Sequence, residues 1–247
     1  MAIVILEHSA DCSAELLMDS LRTFGQRLRV VRLHAGQAVP ADLDDVHGLI
    51  SLGGSQTVHA LDAPWMRDEM NLLREAHGAR VPVLGLCLGA QLLAAALGGE
   101  TGAMAAPEIG WKSITLSAQG CDDALFAGHP WQTPQLCWHR DQVTKLPEGA
   151  TLLASSEACK VQAYCVGYHS YALQYHCEWS AATMQHHIET SDADLKAAGV
   201  SAQTLQEETT RNAPTSARLA KRFFDAINTL VMPADRQNRG IVKDMHH

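Results

Sequence analysis

Residue types and spacing first suggest chemistry at Gly85-Leu86-Cys87-Leu88-Gly89, a cysteine with glycine two residues away on either side. This is the pattern of the nucleophile elbow, G-x-S-x-G, with sulfur in place of the hydroxyl. The glycines allow a tight turn, because a Cβ at either position would crowd the neighbouring strand and helix. A thiol at a helix N-terminus faces unpaired N–H groups and the positive end of the dipole, which favours its thiolate. The N–H of Leu88 is placed to hold a developing oxyanion. The same five residues also describe a buried, inert cysteine in an ordinary strand-to-helix turn, and the motif alone does not decide.

A cysteine nucleophile needs a base, and the base needs an orienting acceptor. Leu173-Gln174-Tyr175-His176-Cys177-Glu178 offers both. If an extended strand runs through Glu178, then His176 and Glu178 point to one face and Cys177 to the other. The carboxylate would fix the imidazole tautomer and stabilise the imidazolium that holds Cys87 as thiolate. A lone H-x-E is also an ordinary surface or core pairing. Its value here is its place at the end of a strand that a sheet could bring beside Cys87.

The elements that must position these groups read as a doubly wound α/β sheet. Strands are expected at residues 2–6, 28–33 and 48–52, the last running into Gly53-Gly54-Ser55. The continuous apolar run 81–86 is a strand buried on both faces, followed by an Ala- and Leu-rich helix from Leu88 to Leu97 that ends at Gly98-Gly99. Helices are expected over 11–24, closed by Gly25, and over 65–77, closed by Gly78. Alternation at this spacing argues for a mostly parallel central sheet, whose ligands bind beyond the carboxyl ends of the strands. Gly53-Gly54 and Cys87 both lie at such ends. From about 99 to 175 only short β-like runs stand out, at 114–116, 151–154, 161–166 and 171–175, and they read as an antiparallel extension of the same sheet. After Trp179 the chain turns helical and polar. A long helix is expected from about Ser216 to Leu230, with the last dozen residues frayed.

With 247 residues, 47% hydrophobic and 19% charged, the chain has material for one large core. A net charge of −8 argues against nucleic acid or an anionic membrane as main partner. No apolar run reaches membrane-spanning length, and the N-terminal segment lacks the basic start of a signal peptide. Seven cysteines, at 12, 87, 121, 137, 159, 165 and 177, form no C-x-x-C pair, so reduced thiols and a cytoplasmic location are expected. Among 13 histidines no spacing matches a zinc site; His246-His247 is set aside, and no metal is expected.

Taken together, these motifs resemble the class I, triad-type glutamine amidotransferases, especially stand-alone proteins similar to the GMP synthase glutaminase domain. Val83 to Leu93 is similar to the family's G-[IV]-C-x-G-x-Q-x-[LM] elbow. Ile50-Ser51-Leu52-Gly53-Gly54 resembles its glycine loop, and Leu173 to Glu178 its [GA]-[VIL]-Q-[FY]-H-P-E segment. Glu108-Ile109-Gly110-Trp111, Trp138-His139-Arg140-Asp141 with Leu146-Pro147, and Ala154-Ser155-Ser156 with Gln162-Ala163 resemble further segments of this subgroup. The resemblance covers roughly residues 1–185. It implies a flavodoxin-like domain over 1–185, with 186–247 a helical C-terminal extension packed on it.

The resemblance further implies hydrolysis of the glutamine side-chain amide through a γ-glutamyl thioester. Cys87, His176 and Glu178 would form the triad, with the N–H groups of Gly54 and Leu88 as the oxyanion hole. Gly53, Gln91, His139 and Asp141 would contact substrate, and no cofactor or metal is implied. Glutamine or a γ-glutamyl small molecule is the expected ligand, and a synthetase in trans is one candidate recipient of the ammonia. Two alternatives stand beside this reading: a free-standing γ-glutamyl hydrolase or peptidase, and a non-catalytic binding module on the same scaffold. One departure is Cys177, where the family has proline. Its loss frees φ and adds an N–H but removes neither candidate group.

Overall fold

The computed structural model describes residues 1–11, 14–61 and 63–234. Nine strands form one sheet in the order β2-β1-β3-β4-β9-β8-β7-β5-β6. β1 (Ala2–Glu7), β2 (Leu28–Arg32), β3 (Val46–Ser51), β4 (Val83–Leu86) and β9 (Ser170–Leu173) pair in parallel. β8 (Ala163–Val166), β7 (Ala150–Ser155), β5 (Glu100–Leu116) and β6 (Gln132–Lys145) continue it antiparallel. The doubly wound half and its antiparallel extension are therefore present as expected.

The side-chain period of two explains the layering. In β1, Ile3 and Ile5 join one core with Leu17 and Leu21 of α1 (Glu15–Thr23) and Phe223, Phe224 and Ile227 near the C-terminus. Val4 and Leu6 join the other, with Leu72 and Leu73 of α2 (Met66–Gly78) and Leu92 and Leu93 of α3 (Leu88–Ala96). β5 and β6 are far longer than the short run expected at 114–116. Gly102, Pro107 and Gly110 and a register shift between Ala103 and Glu108 break the alternation, and cross-strand pairing rather than periodicity holds this hairpin. A short helix, α4 (Ala118–Asp122), lies in the β5–β6 connection.

The C-terminal region forms α5 (Ala181–Thr190), α6 (Asp192–Ala198) and α7 (Ala202–Ala226), which ends in a π-turn over Ile227–Val231. α7 begins well before the expected Ser216. Pro214 lies inside it, and the buried face that runs Leu205, Thr209, Ala213, Ser216, Leu219 carries polar residues that hide the helical period. Two of them pair with the hairpin: Trp111 Nε1 donates to Thr209 Oγ1 at 3.0 Å, and Ser216 Oγ to Gln135 Oε1 at 3.3 Å. A third apolar cluster joins Ile109 and Leu136 of the hairpin to Trp179, Met184, Leu195 and Leu205, so the C-terminal helices share a core with the sheet. Residue 185, the expected end of the first unit, lies within α5. Cys12, His246-His247 and the expected fraying of the last dozen residues fall outside the described residues. No helix among those described is long and apolar enough to cross a membrane.

Candidate active site

Cys87 stands where β4 turns into α3, with φ 51° and ψ −105°. A non-glycine residue held there stores about 1–3 kcal/mol of strain, which the surroundings must impose. They do so by close backbone packing. A Cβ at Gly85 would lie 2.6 Å from the Gly89 carbonyl oxygen, and one at Gly89 would strike the Ser51 carbonyl of β3. The Cys87 N–H donates to Leu173 O at 2.8 Å, which ties the elbow to the end of β9.

β9 stops at Leu173, and residues 174–178 are a series of bends rather than a continued strand. Strand alternation therefore does not align His176 with Glu178, as the sequence had suggested. The bends do: His176 Nδ1 lies 2.6 Å from Glu178 Oε1, both side chains are 2% exposed, and the His176 N–H is fixed on Leu136 O at 2.8 Å. Burial opposes the charged imidazole. The Glu178 carboxylate, then the charge and hydrogen bond of Cys87, outweigh it and raise the pKa of His176 to about 10. His176 thus faces Cys87 on one side and Glu178 on the other. Cys177 turns the other way, buried in the α1/α7 core.

Cys87, His176, Leu88, Gly54, Gln91, His139 and Asp141 line one cavity of about 350 Å³. The N–H groups of Gly54 and Leu88 have no protein acceptor among the described residues. A Cβ at Gly54 would approach His8 to 2.7 Å and Leu88 to 2.8 Å, so glycine is required where loop and elbow meet. Gly53 is buried behind the cavity wall. The Gln91 amide donates to Asp141 O at 3.0 Å and Gln174 Oε1 at 3.1 Å, and its oxygen has no hydrogen-bond partner among the described residues. Both ring nitrogens of His139 are engaged, by Glu108 Oε2 at 2.9 Å and Asp141 O at 3.0 Å. His139 therefore shapes the wall more than it offers a free donor. The Asp141 carboxylate lies 3.8 Å from His59 Nδ1.

Glu108, Cys137 and His139 bring one potential metal-ligand atom each to within 4.8 Å of one another, a grouping that linear spacing could not reveal. His139 and Glu108 face each other across β5 and β6, with Cys137 two residues along. Protein partners already occupy these atoms: Ser156 and Gln162 also bond the Glu108 carboxylate, and Gln162 donates to Cys137 Sγ at 3.6 Å. Burial works against the Glu108 charge, but the His139 and Ser156 hydrogen bonds prevail and hold its pKa down. Burial pushes the Cys137 thiol well up, a poor state for a ligand.

Several neighbours were not predicted from sequence. Gln174 Nε2 donates to Cys87 Sγ at 3.6 Å. Trp179 lies between His176 (centroids 3.9 Å apart) and His187 of α5 (4.1 Å), while His187 Nε2 donates to Asp11 O at 2.9 Å. Asp194 of α6 pairs with Arg140 and accepts from Trp138 Nε1 at 3.3 Å, fixing the far cavity wall. Gln174 and Trp138 sit inside recognisable motifs. Trp179, His187 and Asp194 carry no local signal.

The family model "Glutamine amidotransferase class-I" matches residues 9–193. A glutamine amidotransferase-like protein of Salmonella typhimurium is 31% identical over 201 residues, 79% of this chain and 83% of that protein. Gamma-glutamyl peptidase 3 of Arabidopsis thaliana is 32% identical over 146 residues, 56% of this chain and 57% of its own. The crystal structure of a glutamine amidotransferase from Methylobacillus flagellatus superposes with a TM-score of 0.84 at 27% identity, covering 94% of this chain and 96% of that one. With three quarters of its length matched by the family model and an elbow, glycine loop and histidine–glutamate segment that meet in one cavity, the chain belongs to the class I glutamine amidotransferase family.

Proposed function

We propose that the chain hydrolyses the side-chain amide of a γ-glutamyl substrate, glutamine being the simplest. The observation that carries this is His176, held by Glu178 at 2.6 Å and facing Cys87, at a cavity wall that also presents the Gly54 and Leu88 N–H groups. The Cys87 thiolate attacks the γ-carbonyl carbon, and the two N–H groups hold the resulting oxyanion. As the C–N bond breaks, the imidazolium of His176 gives its proton to the leaving nitrogen, leaving a γ-glutamyl thioester. Neutral His176 then takes a proton from water as the water oxygen attacks. The C–S bond breaks, and glutamate leaves while Cys87 returns as thiolate. Glu178 keeps the Nδ1–H of His176 in place throughout. Gln91 and Asp141 lie on the cavity wall where the α-amino and α-carboxylate groups would be recognised.

The size of the cavity favours a second reading of the substrate. Its roughly 350 Å³ falls in the range that accepts drug-sized ligands, and it extends past His176 to Trp138, Thr190, Ser191 and Asp194. That space accommodates a leaving group larger than ammonia, as in a γ-glutamyl peptide, whereas an ammonia-transfer enzyme would instead respond to a synthetase in trans. Glutamate release measured on glutamine and a panel of γ-glutamyl peptides, with Cys87→Ala as control, tests the hydrolase reading against the peptidase and the binding module. Release unaffected by Cys87→Ala sinks the mechanism, and no release from any substrate favours the binding module. A preference for peptides over glutamine selects the peptidase.

A further inference from the structure

Besides His176–Glu178 and His139–Glu108, a third buried acid–imidazole pair lies behind the cavity. His8 follows β1, and its side chain and that of Glu69 on α2 are both 0% exposed. His8 Nε2 donates to Glu69 Oε2 at 2.8 Å, and Ser51 Oγ, at the end of β3, donates to Glu69 Oε1 at 2.6 Å. Burial opposes the charged form of His8, but Glu69 and the Leu52 and Gly53 backbone outweigh it, and its pKa is raised. Burying such a pair is costly, and replacing it with apolar residues is often neutral or stabilising. Its structural setting suggests another use.

The other ring nitrogen, Nδ1, donates to Leu52 O at 3.0 Å. The same carbonyl accepts the Gly89 N–H of the elbow helix at 3.0 Å. Leu52 thus joins the two segments that carry the oxyanion donors: Gly53-Gly54 follows it directly, and Leu88 precedes Gly89. His8 also touches this junction from two other directions. Its carbonyl accepts Gln56 Nε2 at 3.2 Å on the far side of the glycine loop, and its ring stacks on Trp65 at 4.7 Å. The contacts span β1, β3, α2 and α3, so local sequence cannot reveal them.

We infer that His8 and Glu69 are positioning residues for the oxyanion hole, fixing the Leu52 carbonyl so that the Gly54 and Leu88 N–H groups converge on one point. The inference rests on the reading of Cys87 as nucleophile. A misplacement of about 1 Å in such a site costs on the order of 10²-fold, and loss of one donor 10²–10³-fold.

Two variants separate the two ends of the ring. In His8→Gln the amide reaches Glu69 but no side chain donates to Leu52 O, which keeps only the Gly89 N–H. In His8→Asn with Glu69→Gln the shorter amide occupies the Nδ1 position, and no buried charge is left unpaired. Glutamate release from the best γ-glutamyl substrate is compared with the alkylation rate of Cys87 by iodoacetamide, a substitution that develops no oxyanion. For His8→Gln we expect kcat to fall about 10–100-fold, with KM and alkylation within about threefold of wild type. The double variant should keep kcat within about threefold. Wild-type kcat in His8→Gln, an equal fall of kcat and alkylation, or a tenfold loss in the double variant would each overturn the positioning role. Absence of Cys87-dependent turnover in the wild-type protein would instead overturn the hydrolase reading, and this inference with it.

Discussion

Replacing Glu178 by Gln removes one charge and little volume, and the structure sets what should follow. The carboxylate sits 2.6 Å from His176 Nδ1 with both groups 2% exposed, and its second oxygen has no hydrogen-bond partner among the described residues. At an effective dielectric near 20, charges about 4 Å apart interact by about 4 kcal/mol, close to three decades in an ionisation constant. The pKa of His176, about 10 in the intact site, should therefore fall by about three decades, back toward the 6.5 of a free imidazole. The Gln amide can also donate to Nδ1, forcing the proton onto the nitrogen that faces Cys87 and fixing the wrong tautomer. By analogy with acid-to-amide changes in triad hydrolases, kcat at pH 7 should fall about 10²–10⁴-fold while KM changes little. The sign of the stability effect follows from the direction of the shift. A raised histidine pKa contributes stability that is full below pH 6.5 and lost as pH rises toward 10. At about 1.4 kcal/mol per decade, wild type should lose on the order of 5 kcal/mol across that window through this group, and Glu178→Gln should lose little. The assays are steady-state glutamate release and urea denaturation at pH 6 and 9.5. A variant with kcat within threefold of wild type, or with the wild-type pH dependence of stability, would refute the role given to Glu178.

Three further substitutions probe the surroundings. Gly89→Ala drives a methyl group into the Ser51 carbonyl and to 2.5 Å from its hydroxyl, and should cost about 2–4 kcal/mol in urea unfolding; a loss under 0.5 kcal/mol would mean that the helix and strand can separate freely. Cys177→Pro should leave kcat within about twofold and Tm unchanged or raised, because no backbone acceptor among the described residues takes the Cys177 N–H and its side chain faces the core; a large loss of rate would assign Cys177 a part in the chemistry. Asp194→Ala releases Arg140 and Trp138 from the far cavity wall. It should lower kcat/KM for γ-glutamyl dipeptides about 5–10-fold and for glutamine less than twofold, and an unchanged ratio would remove α6 from substrate selection.

How much of this was legible in the chain depends on where the information lies. The parallel half was readable because its inner strands are buried on both faces, and β1 and β4 are written as apolar runs, Ile3 to Leu6 and Val83 to Leu86. The hairpin of β5 and β6 was not, because Gly110, Pro107 and half-exposed residues give no period, and each strand is stabilised by the other. The first half of α7 is hidden by Pro214 and by Thr209, a buried polar residue whose partner, Trp111, lies 98 positions away in sequence. Helical period reports on a face that is apolar, and this face is partly hydrogen-bonded instead.

The candidate site divides the same way. Cys87, Gly54, Leu88, His176 and Glu178 sit in short motifs whose spacing is dictated by a single turn or bend, so one dimension suffices to find them. The route from His176 to Glu178 differs from the expected one: strand alternation would pair them, whereas the chain leaves β9 at Leu173 and brings the pair together through bends. The groups that hold this core in place are of another kind. His8 and Glu69 are 61 residues apart, and Trp179 meets His187 only because α5 folds back over the cavity. Nothing about an isolated histidine after a strand, or a glutamate on an amphipathic helix, distinguishes it from a solvated neighbour. What distinguishes Glu69 is full burial with two donors, His8 and Ser51, that both approach the glycine loop. A buried charge pair costs stability wherever it lies, so where it lies is the informative part. This one borders the single carbonyl that joins both halves of the proposed oxyanion hole.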